Sequence, residues 1–290
     1  MSKILNEFKR YLTLKGIRSI DIYISSVAEY LNYLEDNHQN YETVNAKISD
    51  EYKTYLVTQV KQLSRGTINN KLNRIKGFYR FLVNKGFCYT NPFYKSANLK
   101  TGKSLPKNIL TVTDIGKLLD NFAVITKNDL MMKTLSELLY AGALRISEAV
   151  TLRLNYIDFE SGALSVYEHK TDTTRKTYLN DVCIKVLKEY LKVFRIKSGF
   201  IFPQKQKTTI RCMLNAKLKR ECKRLELKTV TSHSFRHSIA THILRSGAGI
   251  REVQEFLGHK NIKNTEIYTH VVKEDLKNII FKYHPREASD

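Results

Sequence analysis

The sequence predicts a mainly α-helical chain in two domains, with one short β hairpin in the second. Three observations predict this. Apolar residues recur three and four apart through most of the 290 residues. The stretch from Lys95 to Asn108, with Gly102, Pro106 and several lysines, has little periodicity and reads as a linker between domains at 1–96 and 109–290. The runs Ala163 to Val166 and Lys176 to Leu179 are β-compatible and flank a polar turn. Hydrophobic residues make up 42% of the chain, enough for sizeable cores and against global disorder.

Charge narrows the class of partner. Lys and Arg total 49 against 28 acidic residues, a formal net charge of +21. Both halves are basic, so a single basic tail does not account for the excess. Such a balance favours a polyanion, most simply nucleic acid, over a membrane surface. No apolar run approaches the length of a membrane span. The four cysteines, 88, 183, 212 and 222, form no Cys-x-x-Cys pair, so we expect free thiols, no metal and no cofactor. The start, MSKILNEFKRYL, lacks a signal-peptide pattern, and we expect a cytoplasmic, nucleoid-associated protein.

In the first domain, Ile4, Leu5, Phe8, Tyr11 and Leu12 mark one helix, broken at Lys15-Gly16. Ile20, Tyr23, Ile24, Val27, Tyr30, Leu31 and Leu34 mark a second. A loop from His38 to Asn45 leads to a third, with Ile48, Tyr52, Tyr55 and Leu56. Ser64 is a plausible N-cap for a fourth, ending near Lys85-Gly86. That region carries Lys61, Arg65, Lys71, Arg74, Lys76 and Arg80 without an acidic residue, beside Thr67, Asn69, Asn70 and Asn73. One face can pack while another meets phosphates, although a solvated basic helix fits the same pattern. Asn91-Pro92 should end the domain.

In the second domain, Thr111 or Thr113 can cap a helix with Ile115, Leu118 and Leu119. Asn128 can cap the next, from Leu130 to Tyr140. Gly142 should interrupt it just before Arg145, and a helical pattern resumes from Ser147 to Leu152. Arg145 and Glu148 are spaced for a local ion pair. The hairpin encloses Glu168 to Arg175, followed by an amphipathic helix from Val182 to Phe194. A dense basic region with Arg211, Lys217, Lys219 and Arg220 is helical through Met213, Leu214 and Leu218, and suits a second DNA-contacting helix, although a solvated helix fits the same pattern.

The stretch His233 to His270 reads HSFRHSIATHILRSGAGIREVQEFLGHKNIKNTEIYTH. His233 and Arg236 are three apart on a helix, His259 follows a Leu-Gly step, and Tyr268 lies nine residues on. His237, next to Arg236, should face elsewhere. Ile239, Ile243, Val253, Phe256, Leu257 and Ile267 would be core. By spacing alone these are ordinary amphipathic helices, or a site where a phenol attacks a phosphodiester.

This stretch resembles the signature of the tyrosine recombinases, or phage integrases, most closely the short Xer-type members. The resemblance implies a SAM-like core-binding domain that clamps DNA, then a catalytic domain of the tyrosine recombinase fold. It implies that Arg145 and Arg236 hold nonbridging phosphate oxygens, with Glu148 orienting cations. Lys170 best matches the family's general acid, although the usual Gly-rich turn after this lysine is absent, and Lys176 is a weaker second candidate. The resemblance further assigns His233 as general base or proton shuttle, His259 as a phosphate ligand, and Tyr268 as the nucleophile forming a 3′-phosphotyrosyl link. The family usually has Gly where Ala143 stands. The helix from Val271 to Tyr283 would dock in a neighbouring protomer. The partners implied are double-stranded DNA with inverted arms and a homotetramer on two sites, monomeric or weakly associated off DNA. Accessory DNA-translocating or DNA-bending proteins would assist. Two other readings stay open: a type IB topoisomerase-like enzyme, and a DNA-binding protein without catalysis. Chromosome-dimer resolution and element mobility are not separated.

Overall fold

The computed structural model describes residues 2–17, 19–60, 63–101, 108–168, 173–204, 207–259 and 261–272. The chain divides into two compact units, Met1–Gly102 and Lys103–Asp290. In the first, four helices follow the apolar stripes: α1 (Ser2–Leu14), α2 (Ile20–Asp36), α3 (Ala46–Thr58) and α4 (Arg65–Asn84). Ser64 caps α4 by accepting a hydrogen bond from the Thr67 amide, satisfying a donor that the first turn leaves unpaired. The core is aromatic. Phe8 packs against Phe78 and Phe81, and Tyr30 packs edge-on to Tyr52, Tyr79 and Phe93. The buried Tyr30 and Tyr79 hydroxyls share a hydrogen bond of 3.0 Å, and Tyr79 donates to the Tyr41 carbonyl, so neither polar tip is stranded. Residues 97–100, expected as linker, are tied to this unit. Lys53 donates to the Ala97 carbonyl, Arg65 to that of Lys100, and Asn69 bonds both backbone groups of Leu99.

The second unit opens with α5 (Val112–Asp120) and α6 (Lys127–Ala141). Thr111 caps α5. Thr126, not Asn128, caps α6: its hydroxyl accepts from the Asp129 amide and the Asp129 carboxylate accepts from the Thr126 amide, a reciprocal pair. Asn128 lies inside the helix. From Leu130 to Leu139 nearly every side chain of α6 is buried, as expected for a helix surrounded by others. Next come α7 (Ile146–Val150), a 3-10 turn, the antiparallel strands β1 (Ala163–Glu168) and β2 (Thr173–Tyr178), and α8 (Asp181–Phe194). The register pairs Ala163 with Tyr178 and Val166 with Arg175. Then come α9 (Lys207–Arg224), α10 (Ser232–Arg245), α11 (Ile250–Leu257) and α12 (Lys263–Val272). Packing around α6 draws in Leu187 and Tyr190 of α8, Leu214 and Leu218 of α9, and Phe235 of α10. A smaller cluster joins Ala143, Ala240, Val253, Leu257 and Tyr268. Among the described residues, no helix is long and apolar enough to cross a membrane.

Candidate active site

Gly142 ends α6, and Ala143 then turns the chain with φ at 48°, a left-handed conformation that costs a residue with a Cβ about 1–2 kcal/mol. The turn brings Arg145 to the N-cap position of α7. Glu148, in the first turn, accepts from the Arg145 amide at 2.8 Å and from Arg145 Nη1 at 2.6 Å. The same carboxylate accepts from Arg175 Nη1 at 3.2 Å and Nη2 at 3.0 Å. Glu148 is 8% exposed, so burial by itself would raise its pKa. The hydrogen bonds and charge of Arg175, with the Arg145 amide and the Arg236 charge, outweigh burial and hold the carboxyl below its ordinary value. Glu148 is therefore an ionised strut between two guanidinium groups.

Arg236 occupies the centre at 2% exposure. Its Nη1 donates to the Ala143 carbonyl and its Nη2 to the Leu257 carbonyl, tying the α6–α7 turn to the end of α11. Burial, then the charge of Arg145, pushes its pKa down to about 10, still protonated at neutral pH. At the end of α11, Gly258 adopts φ of 64°, and a Cβ there would meet Arg175 Cδ at 2.7 Å. This glycine therefore serves both the left-handed turn and the passage of Arg175. His259 follows, its Nδ1 2.9 Å from the hydroxyl of buried Thr265. Burial, then the charges of Arg236, Arg145 and Arg175, drives His259 down to about 4.

His233, at the start of α10, is the exposed histidine of the group. Partial desolvation, then Arg236 and Arg145, lowers its pKa. His237 does not face elsewhere. Residues four apart share a helix face, so its ring packs edge-on to His233 with centroids 4.8 Å apart. Its Nδ1 lies 2.7 Å from the Tyr268 hydroxyl. Tyr268 is only 1% exposed, and burial, partly offset by Arg236, pushes its pKa up to about 12. The fold thus gathers Arg145, Glu148, His233, Arg236, His259 and Tyr268, and adds Arg175 and His237. Spacing from His233 could have found His237. Arg175 falls two residues before buried Thr177, so strand alternation turns it to the packed face. Beside the group, a cleft of about 840 Å³ between β2 and α11 is lined by Arg175, Lys176, Arg251, Gln254 and His259. Lys170 and all but the first two residues of the terminal helix expected over Val271 to Tyr283 lie outside the described residues.

The basic residues expected to meet DNA divide by environment. Arg65 and Arg80 are exposed on α4, and Arg211, Lys219 and Arg220 on α9. Lys76 donates to the Tyr94 carbonyl at 2.9 Å, and Arg74 to the Ser26 hydroxyl at 3.1 Å, both half-buried. Lys71 is mostly covered and pairs with Glu29. Lys217 departs from the expected surface role. At 8% exposure it spans Asp129 at 2.7 Å and Glu221 at 3.1 Å, joining α9 to α6. Asn69 is taken up by Leu99, whereas Thr67, Asn70 and Asn73 are exposed. Lys61 lies outside the described residues. Among the described residues, no group of three His, Cys, Asp or Glu side chains could hold a metal ion.

Comparison with known proteins agrees with this architecture. The phage integrase family matches residues 108–275, and the phage integrase N-terminal SAM-like domain matches residues 5–86. The chain is 30% identical over 305 aligned positions to the tyrosine recombinase XerD of Staphylococcus aureus, across 99% of this chain and 100% of that protein. The fold is shared with the XerH site-specific recombinase bound to palindromic difH substrate in a post-cleavage complex. That structure gives a TM-score of 0.75 at 20% identity, covering 96% of this chain and 83% of the other. It is shared also with the Tn1549 transposon integrase in complex with transposon right end DNA, with a TM-score of 0.69 at 20% identity and coverage of 97% and 99%. With both its units matched and its full length aligned to XerD, this chain belongs to the phage integrase family of tyrosine recombinases and is related to the Xer-type members.

Proposed function

We propose that the chain is a site-specific DNA recombinase that cuts and rejoins strands through Tyr268. Tyr268 Oη attacks the scissile phosphorus, the bond to the 5′ oxygen breaks, and the 3′ phosphate stays on the tyrosine. The freed 5′ hydroxyl of a partner strand then attacks that link and releases the tyrosine. Each step exchanges one phosphoester for another, so no external energy source is needed. Arg145 and Arg236 stabilise the charge that builds on the phosphorane, and His233 and His259 add hydrogen bonds to its oxygens. Lys170 protonates the leaving 5′ oxygen. Glu148 holds Arg145, and Arg175 in turn holds Glu148. The observation that carries this reading is that Arg236 bonds the backbone beside both Arg145 and His259, while its helix also contacts the tyrosine.

Four protomers on two duplex sites with inverted arms would exchange strands through a Holliday junction. Arg65 and Arg80 in one unit and Arg211, Lys219 and Arg220 in the other are the exposed cations that would meet phosphates. Full-length similarity to XerD supports a Xer-type recombinase, with dimer resolution and element movement both served by this chemistry. The test uses duplexes selected by the protein from a random pool and nicked beside the crossover, so that cleavage traps the covalent complex. Wild type should form an adduct that survives denaturation, and Tyr268→Phe should not. An adduct that persists in Tyr268→Phe removes the nucleophile assignment. Joint products from two marked duplexes separate recombination from relaxation alone.

A further inference from the structure

The phenol that must lose its proton in the reaction above is sealed from solvent. Tyr268 sits among Ala143, Ala240, Val253 and Leu257, an apolar setting without bulk water to take that proton. Its hydroxyl instead lies 2.7 Å from Nδ1 of His237. Helices α10 and α12 pack directly on one another, so this distance is set by two regular elements. His233, the histidine that the family resemblance offers as base, stands exposed on the next turn, ring to ring with His237.

We propose, resting on the recombinase reading, that His237 is the general base of strand cleavage and takes the Tyr268 proton at Nδ1. As the Oη–P bond forms, the Oη–H bond breaks and the proton passes to Nδ1, leaving an imidazolium. In the rejoining step the same proton returns to Oη as the phosphotyrosyl bond breaks. One residue thereby serves both directions, as microscopic reversibility requires. The groups facing the imidazole are His233 and Arg236 from its own helix, Tyr268 from α12 and His259 beyond α11. Burial, then His233 and Arg236, keeps the imidazole down at about 4, while burial holds the phenol up at about 12. A standing phenolate–imidazolium pair is therefore far uphill, and the free protein rests with its proton on the phenol. Transfer is tied to attack on phosphorus, which removes the phenolate charge as it forms. This gives a physical reason for a buried nucleophile to stay silent until a phosphodiester is seated.

Two experiments test this. In His237→Asn, the side-chain oxygen stands near the Nδ1 position and can still accept the hydrogen bond but cannot hold the proton. Single-turnover cleavage of the nicked duplexes should fall about 100-fold or more at pH 7. Because the phenol is sealed from solvent, raising the pH should not restore the rate, and duplex affinity should be unchanged, so the loss falls on the chemical step. A wild-type cleavage rate in His237→Asn overturns the proposal. The second experiment is independent of DNA: ¹⁵N resonances of His237 in the full chain should show Nε2–H with Nδ1 bare. A protonated Nδ1 in the neutral ring reverses the donor and overturns the proposal even if His237→Asn is slow. Failure of wild type to form any adduct counts against the recombinase reading, while the ¹⁵N result still decides the direction of the Tyr268–His237 bond.

Discussion

Glu148→Gln is the most discriminating perturbation of the cation cluster. The carboxylate accepts four hydrogen bonds: the Arg145 amide and Arg175 Nη2 on one oxygen, Arg145 Nη1 and Arg175 Nη1 on the other. Glutamine keeps the shape but turns one oxygen into a donor, and either orientation sets that donor against two N–H groups. The charge that offsets Arg145, Arg175 and Arg236 is lost as well. Breaking one side of a buried pair costs about 3–5 kcal/mol. Arg145 retains 30% side-chain exposure, and its share is screened, so about 3 kcal/mol is a fair expectation. For a unit of this size that corresponds to a fall in Tm of roughly 6–12 °C. Thermal unfolding by calorimetry at pH 7 reads it directly. A bound phosphodiester carries the missing negative charge, so a saturating duplex should narrow the gap between variant and wild type. The carboxyl is held below its ordinary value, so its stabilisation is complete above about pH 4.5 and fades as pH falls through the folded-state value. The variant should lack that acid loss. A Tm within about 2 °C of wild type at pH 7 would refute the strut.

Ala143→Gly removes a Cβ from a left-handed residue. The relief of about 1–2 kcal/mol is offset by added chain entropy of about 0.5–1 kcal/mol and by about 0.8 kcal/mol for the buried methyl, so chemical denaturation should show a change of less than ~1 kcal/mol in either direction; a loss of about 2 kcal/mol or more contradicts the strained turn. Glu137 is 4% exposed in α6, and burial first, with Asp120 adding, raises its pKa to about 7. Its folded value lies above its unfolded one, so wild type loses stability as pH rises from about 4.5 through 7, on the order of 3 kcal/mol. Glu137→Gln should remove that loss, seen as a Tm advantage at pH 8 that vanishes at pH 4.5. Lys217→Met should lower Tm without changing the salt dependence of DNA binding, whereas Lys219→Ala and Arg220→Ala should each reduce the salt slope by about one. Equal slopes for all three variants contradict the division between buried and exposed cations on α9.

Much of the architecture was written locally. The stripes of α1, α2 and α4, the Ser64 and Thr111 caps and the alternation around the hairpin follow from periods that neighbouring residues impose on one another. The Asn128 cap failed because Thr126 has the better geometry, a hydroxyl three residues before an acid that can reach back. The signature from His233 to Tyr268 is legible because its helices and its Leu-Gly-His turn are short-range features. Charge sign is legible too, since composition alone supplies it.

What the sequence by itself determined is therefore the helical class, the basic character and the residues that carry the family's pattern. Only the tertiary structure decided which of them meet. Lys217 and Arg220 look alike in a string of cations, but one is turned inward because Asp129 and Glu221 await it there. Arg175 reads as a hairpin lysine's neighbour until the strand pairing swings it across Glu148 and over Gly258. His237 becomes the partner of Tyr268 only when α12 lies on α10. Local periodicity fixes the face on which a side chain stands, whereas burial, ionisation and reach depend on what long-range packing brings against that face.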